Sequence, residues 1–229
     1  MVKMSRRIRQ ALAKVGAELY SPLEAISLMQ NIASVKFIET AELHMALNLN
    51  PKYADQQLRA SVVLPKGLGK DVNVVVIARG EKVAEALSVG ANMAGSEEII
   101  ELITKDKLNF DKLIVTPDMM PMIAKLGRIL GPRGLMPSPK AGTVTTNLKE
   151  SVSEFKKGKI EYRIDRTGVI HVPFGKVSFT SEDLLLNLQA IFLSVNKNRP
   201  VNIKGQFWKT AYIASAMGPS IQLDITKLV

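Results

Sequence analysis

Two styles of strand occur in this chain, and they do not suit the same sheet. In "ELHMALNLN" (42–50), Leu43, Met45, Leu47 and Leu49 alternate with Glu42, His44 and Asn48. A period of two buries one face of a strand and leaves the other to water. The same period runs through "KIEYRI" (159–164), "VIHVPF" (169–174) and "SIQLDI" (220–225). The middle of the chain is different. "VNVVVIA" (72–78) and "KLIVTP" (112–117) are nearly continuous apolar runs, the pattern of strands covered on both faces. Alternating strands at both ends with buried strands between them predict two bodies, the second inserted into the first.

"GEKVAEALSVGA" (80–91) and "SEEIIELITKD" (96–106) read as helices between the apolar strands. The second opens with Ser96, and Glu97 and Glu98 in its first turn favour the helix dipole. "PDMMPMIAKLGRIL" (117–130) reads as a further helical stretch opened by prolines. Alternation of this kind marks a parallel α/β unit. In the outer part, "SPLE" (21–24) carries a Ser cap, Pro at the first helical position and Glu for a capping box. A long helix starts at Thr180 or Ser181, carries Leu184, Leu188, Ile191 and Val195 on one stripe, and stops at Arg199–Pro200. "DRTGVIH" (165–171) reads as a hairpin tip between "KIEYRI" and "VIHVPF".

The predicted fold class is therefore α/β in two domains. Residues 1–66 and 159–229 form an α+β domain from both termini, and residues 67–158 form an inserted three-layer, Rossmann-like α/β domain. "PKGLGKD" and "KKGK" mark the borders as hinge strands.

Charge separates the two parts as well. Nine Lys/Arg stand against five Asp/Glu in residues 1–66, and nine against five again in 159–229. The middle holds thirteen against eleven, so most of the net charge of +10 lies on the outer domain. An excess of that size points to a polyanion or an acidic partner. The longest apolar runs are too short to span a bilayer, and no basic helix has the Trp- and Phe-studded face of a membrane binder. Basic "MVKMSRRIRQALAK" leads into no long apolar segment and places Ile8, Leu12 and Val15 on one helical face, so it reads as mature protein. Nucleic acid leads, with no membrane partner expected.

Enzymatic readings fare poorly. The chain has no cysteine, which removes disulfides, thiolate catalysis and Cys-based zinc. His44 and His171, its two histidines, both fall on the solvent face of predicted strands and read as solvated residues rather than general bases or metal ligands. "GLGKD" (67–71) is too short for a P-loop and lacks its Ser/Thr. The glycines, prolines and cations of "GRILGPRGLMPSPKAGT" (127–143) read as a shaped structural loop, because proline removes the amide donors a phosphate needs. No cofactor, metal, catalytic residue or small-molecule substrate is expected.

The outer domain collects a different chemistry. "KFIETAELHM" supplies Lys36, Phe37, Thr40 and Glu42, the hairpin tip supplies Arg163, Asp165, Arg166 and Thr167, and "SAMGPS" (215–220) offers a hydroxyl, a thioether and an unhindered Gly backbone. Cations meet phosphates, an aromatic or Met surface lies against sugars or bases, and carboxylates and hydroxyls read 2′-OH groups and base edges.

At this point "IAKLGRILGPRGLMPSPKAGTV" (123–144) closely resembles the signature segment of the ribosomal protein L-one family, the first protein of the large ribosomal subunit. "KFIETAELHMALN", "PKYADQQLRASVVLPKGLGK", "YRIDRTGVIHVPFGKVSF" and "MGPS" match it in the same order, so the resemblance spans essentially the whole chain. It points to the bacterial, cyanobacterial and plastid branch. The resemblance implies a non-catalytic protein that binds large-subunit rRNA, forms the mobile stalk beside the tRNA exit site and assists release of deacylated tRNA. It equally implies other ribosomal components as partners, and an alternative role as a free repressor of its own operon mRNA through the same surface. Carried over by motif, the RNA contacts are Lys36, Phe37, Thr40, Glu42, Arg163, Asp165, Arg166, Thr167, Gly168, Met217 and Gly218, with Ser215 added for its hydroxyl. The family commonly has Thr before Met-Gly-Pro where Ala216 stands here. The expected location is the plastid stroma, on the large subunit, with a cyanobacterial cytoplasm as the alternative.

Overall fold

A computed structural model of the chain describes residues 5–16, 18–105, 108–200 and 205–227. The elements begin with α1 (Arg6–Lys14), α2 (Pro22–Ile32), β1 (Thr40–Leu47), β2 (Arg59–Val63) and β3 (Val74–Ile77). Next come α3 (Glu81–Ser88), β4 (Met93–Gly95), α4 (Glu97–Thr104), β5 (Lys112–Val115), α5 (Met120–Ala124), α6 (Gly127–Leu130) and α7 (Leu148–Lys156). The chain closes with β6 (Lys159–Arg163), β7 (Val169–Lys176), α8 (Ser181–Lys197), β8 (Trp208–Ser215) and β9 (Ile221–Gln222). Among the described residues these divide into two compact units, one ending at Gly69 and resuming at Glu161, the other running from Lys70 to Ile160.

The first unit is built on an antiparallel sheet of order β7-β1-β8-β9. β1 alternates strictly between buried and half-exposed positions, as its period requires. Ala41, Leu43, Met45 and Leu47 of β1, Ile170, Val172 and Phe174 of β7, and Ala211 and Ile213 of β8 are buried. Helices α2 and α8 pack against this sheet and against each other. Ser21 Oγ and N both reach Glu24 Oε2, at 2.6 and 3.2 Å, closing the start of α2. Thr180 Oγ1 accepts from Asp183 N at the start of α8. A fully buried Asn187 interrupts the apolar stripe of α8. Its amide donates to the carbonyls of Gly67 and Phe174, and its Oδ1 accepts from Lys66 N, so it ties down the segment that leaves this unit.

In the second unit, parallel strands in the order β4-β3-β5 carry apolar clusters on both faces. Val75 and Ile77 face Ile99 and Ile103 of α4 together with Met119, Ile123 and Leu130. Val74 and Val76 face Ala86 of α3 and Leu148, Val152 and Phe155 of α7. Continuous apolar runs were needed because both sides of β3 are covered. The loop 127–143 is held by its own bonds: Thr143 Oγ1 accepts from Ser138 N at 2.8 Å, and Leu135 and Met136 pack on the first cluster.

Several sequence expectations need correction. The stretch 117–130 is not one helix but a 3-10 turn followed by α5 and α6, broken at the glycines and prolines that weaken a continuous helix. "SIQLDI" forms a strand only at Ile221 and Gln222, adds a single bridge from Leu223 to Tyr20, then enters a 3-10 turn at Ile225–Lys227. β6 and β7 do not form a hairpin. β6 pairs with β2 and β7 with β1, and a single bridge between Ile164 and Ile170 joins them across the turn. The central strand β8, the strand β2 and the short β4 went unread in the sequence.

Candidate nucleic-acid interface

The solvent face of the antiparallel sheet carries Thr40, Glu42, His44 and Ala46 of β1. In register beside them stand Val169, His171 and Pro173 of β7, and Thr210, Tyr212 and Ala214 of β8. The predicted site residues lie along this face, but they do not form one cluster. They gather at the two ends of β1, an eight-residue strand roughly 25 Å long.

At the Thr40 end, the loop before β1 meets the turn after β8. Phe37, Ile38 and Met217 are 56%, 63% and 51% exposed, a large apolar presence for a surface loop. Lys36 is also exposed. Ala216 N donates to the Thr40 carbonyl at 3.0 Å, and Lys176 Nζ donates to Thr40 Oγ1 at 2.8 Å. Met217 is gripped from two sides: its N–H donates to Glu39 Oε2 at 2.8 Å, and its carbonyl accepts from Arg7 Nη2 at 2.9 Å. Gly218 N closes the turn on the Ser215 carbonyl at 2.9 Å. A side chain at Gly218 would collide with Ser215 Oγ. Ser215 is only 4% exposed, so the hydroxyl expected to face outward lies beneath the turn instead. Burial follows from the turn folding back over the strand end.

At the Leu47 end, the turn 165–168 packs against the close of β1. Leu47 N donates to the Gly168 carbonyl at 2.9 Å. Gly168 has φ +86°, and a Cβ there would press on the carbonyls of Leu49 and Leu47 at 3.2 and 3.3 Å. Asp165 Oδ1 accepts from Thr167 N, Thr167 Oγ1 and Val169 N, each at 2.8 Å. These donors, the Thr167 hydroxyl first and the Val169 amide next, hold the Asp165 carboxyl below its ordinary range. Asp165 and Thr167 thus shape the turn, while Arg166 and, at the end of β6, Arg163 are exposed.

Between the two ends, His44 and His171 sit opposite each other with Nδ1 atoms 2.8 Å apart. They were read as separate solvated residues; register between β1 and β7 makes them a pair. His44 Nε2 lies 3.7 Å from Glu42 Oε2, and His171 Nε2 lies 3.8 Å from Asp165 Oδ2. Burial lowers the His44 pKa, the neighbouring His171 lowers it further, and Glu42 opposes both. The four groups run in a line, and no group of three or more metal-type ligands converges among the described residues.

Sequence reasoning missed Glu39, Arg7, Lys176 and the histidine pairing. Glu39 is 1% exposed, and its Oε1 has no hydrogen-bond partner among the described residues. Only a Glu directly before an alternating strand hinted at it. Of the basic N-terminal stretch, residues 1–4 lie outside the described residues, and Arg7 is engaged with Met217.

Comparison with known proteins agrees on one family. The model of the Ribosomal protein L1p/L10e family matches residues 29–219. Large ribosomal subunit protein uL1c of Porphyra purpurea is 61% identical over 229 residues, all of both chains. Its counterpart in Pyropia yezoensis is 62% identical over the same span. Large ribosomal subunit protein uL1 of the cyanobacterium Thermosynechococcus vestitus is 58% identical over 228 residues, covering 100% of this chain and 96% of that one. Plastid-type and cyanobacterial relatives therefore stand side by side, and all carry the names of ribosomal proteins rather than enzymes. The chain belongs to the ribosomal protein L1p/L10e family and is a protein of the large ribosomal subunit, not an enzyme.

Proposed function

We infer that the chain binds large-subunit rRNA through the solvent face of its antiparallel sheet and the turns at the two ends of β1. One observation carries this reading: the turn 215–218 is bonded to Glu39 and Thr40, far away in sequence, so exposed Met217 stands at the same end of the sheet as exposed Phe37 and Ile38, and its backbone is fixed by Glu39 and Arg7. Apolar side chains held out on a rigid backbone are suited to lie against ribose and base edges, while Lys36 beside them and Arg163 and Arg166 at the other end of β1 suit phosphates. On this reading residues 1–66 and 159–229 are the anchoring domain, and residues 67–158 an inserted domain of nearly balanced charge. The inserted domain moves on the hinge strands as a stalk beside the tRNA exit site, on a plastid or cyanobacterial ribosome, and assists the departure of deacylated tRNA.

Met217→Asp tests this reading. It exchanges an apolar contact for a carboxylate set against the phosphate chain, so affinity for large-subunit rRNA at fixed salt falls about 30-fold or more. Unchanged affinity in a filter-binding titration overturns the placement of RNA on this end of the sheet.

A further inference from the structure

The line Glu42–His44–His171–Asp165 links the two end turns across the middle of the same face. Its two outer members are among the RNA-contact residues suggested by the sequence, whereas its two inner members have no part in the reading above. The geometry limits how many protons the pair can hold. With the two Nδ1 atoms at 2.8 Å, one must donate and the other accept. If both rings are neutral, the donor ring has no proton left for Nε2, and a bare lone pair then faces a carboxylate at 3.7 or 3.8 Å. One added proton removes that conflict, because each Nε2 then carries an N–H toward its carboxylate while a single Nδ1–H still bridges the rings. A second added proton would set two Nδ1–H groups against each other. The pair has room for one imidazolium and no more.

The charged or titratable groups facing the pair come from every strand beside it. Glu42 lies on β1, Asp165 in the turn before β7 and Tyr212 opposite His44 on β8, while Lys176 bonds Thr40 further along and Arg166 is exposed in the turn. His171, with 56% of its side chain exposed against 29% for His44, is the ring that meets solvent. Burial holds the His44 pKa below its ordinary value, and the neighbouring His171 lowers it further.

We propose that the His44–His171 pair is a further RNA-contacting element of this face and takes up one proton when RNA binds, presenting a single imidazolium to the phosphate-ribose chain between the two end turns. This rests on the rRNA reading given above. Tyr212 beside the pair adds a ring suited to stacking or to a 2′-OH contact. Because RNA favours the protonated pair, reciprocal linkage requires binding to tighten as pH falls.

The test uses the full chain and deproteinised cyanobacterial large-subunit rRNA at fixed salt. Affinity is measured at pH 8 and pH 6, for the wild type and for the variant carrying both His44→Asn and His171→Asn. The wild type is expected to bind about 3–10-fold more tightly at pH 6, within the limit of one proton, and the variant to show no such change. The chain contains two histidines, so its imidazole proton resonances report this pair alone and keep the test alive if the variant misfolds. RNA addition at pH 7 should move them toward the imidazolium position. Equal wild-type affinity at both pH values with unmoved imidazole signals overturns the proton-uptake proposal and leaves rRNA binding standing. Failure of the wild type to bind at either pH overturns the rRNA reading and this proposal together.

Discussion

The turn at 165–168 is closed by its own residues, whereas the turn at 215–218 is held by groups from far along the chain. Asp165 satisfies two backbone amides and a hydroxyl within four residues of itself. Met217 depends on Glu39 and Arg7, which are 178 and 210 residues away in sequence. The local turn is set before the sheet exists; the remote one can take its shape only after β1, β8 and α1 have come together. That difference separates stability from function. Damage to the self-closed turn is felt at the end of β1, which Gly168 bonds, while loosening the clamped turn frees the exposed side chain it presents.

Both turns carry a glycine, and the largest expected effects distinguish why. Gly168→Ala meets two backbone carbonyls and a φ of +86°, none of which a neighbouring side chain can relieve. It should cost about 3 kcal/mol in urea unfolding, and no second substitution should rescue it. Gly218→Ala meets a side chain, Ser215 Oγ, and should cost about 2 kcal/mol. Adding Ser215→Ala removes that oxygen and leaves the Cβ at 3.6 Å and the backbone N at 3.7 Å, ordinary contacts, so the double variant should recover most of the loss. If the double variant stays as unstable as Gly218→Ala alone, the turn is constrained by its backbone and the contrast with Gly168 disappears.

Glu39 sharpens the comparison further. Its buried carboxylate has one oxygen on Met217 N and the other unpartnered, an arrangement that costs nearly as much as it contributes. Glu39→Leu should therefore change unfolding stability by less than about 1 kcal/mol. It nevertheless releases the Met217 amide, and rRNA affinity should fall about tenfold as Met217 loses its fixed backbone. Glu39→Gln keeps an acceptor and should stay close to wild type. Equal losses of stability and affinity in Glu39→Leu would mean that the residue is part of the core rather than a clamp on the turn.

The same division explains what the sequence disclosed. β1 and β7 were legible because large apolar residues alternate with polar ones along them. β8 was not: its inward positions include Ala211 and Ser215, too small or too polar to mark a period, although it is a central strand of the sheet. "DRTG" could be read as a turn because the bonds that close it are local, yet the pairing of β6 with β2 instead of β7 is a long-range choice with no local sign. Candidate contact residues such as Phe37 and Met217 came from motifs, but the Glu39 clamp and the His44–His171 pair depend on tertiary register. His44 and His171, 127 positions apart, and Glu39 and Met217, 178 apart, become partners only once the sheet order is known.

The smallest effect tests whether charge at Asp165 matters to the local turn. The Thr167 hydroxyl and the Val169 amide bind the ionised carboxylate and hold its folded pKa below the ordinary value, with His171 adding to the shift. A depressed folded pKa means that the stabilisation is complete above the unfolded value of about 4 and is lost as pH falls through the lower folded value. Asp165→Asn retains an acceptor but not the charge. The wild type should melt about 2–4 °C above it at pH 7 and pH 5, a gap typical of one hydrogen bond in a chain of this size. Below pH 4 the gap should narrow, and at pH 2 it should close. A gap that persists unchanged at pH 2 would show that shape rather than charge closes this turn. Its contrast with the remotely clamped turn would then rest on sequence distance alone.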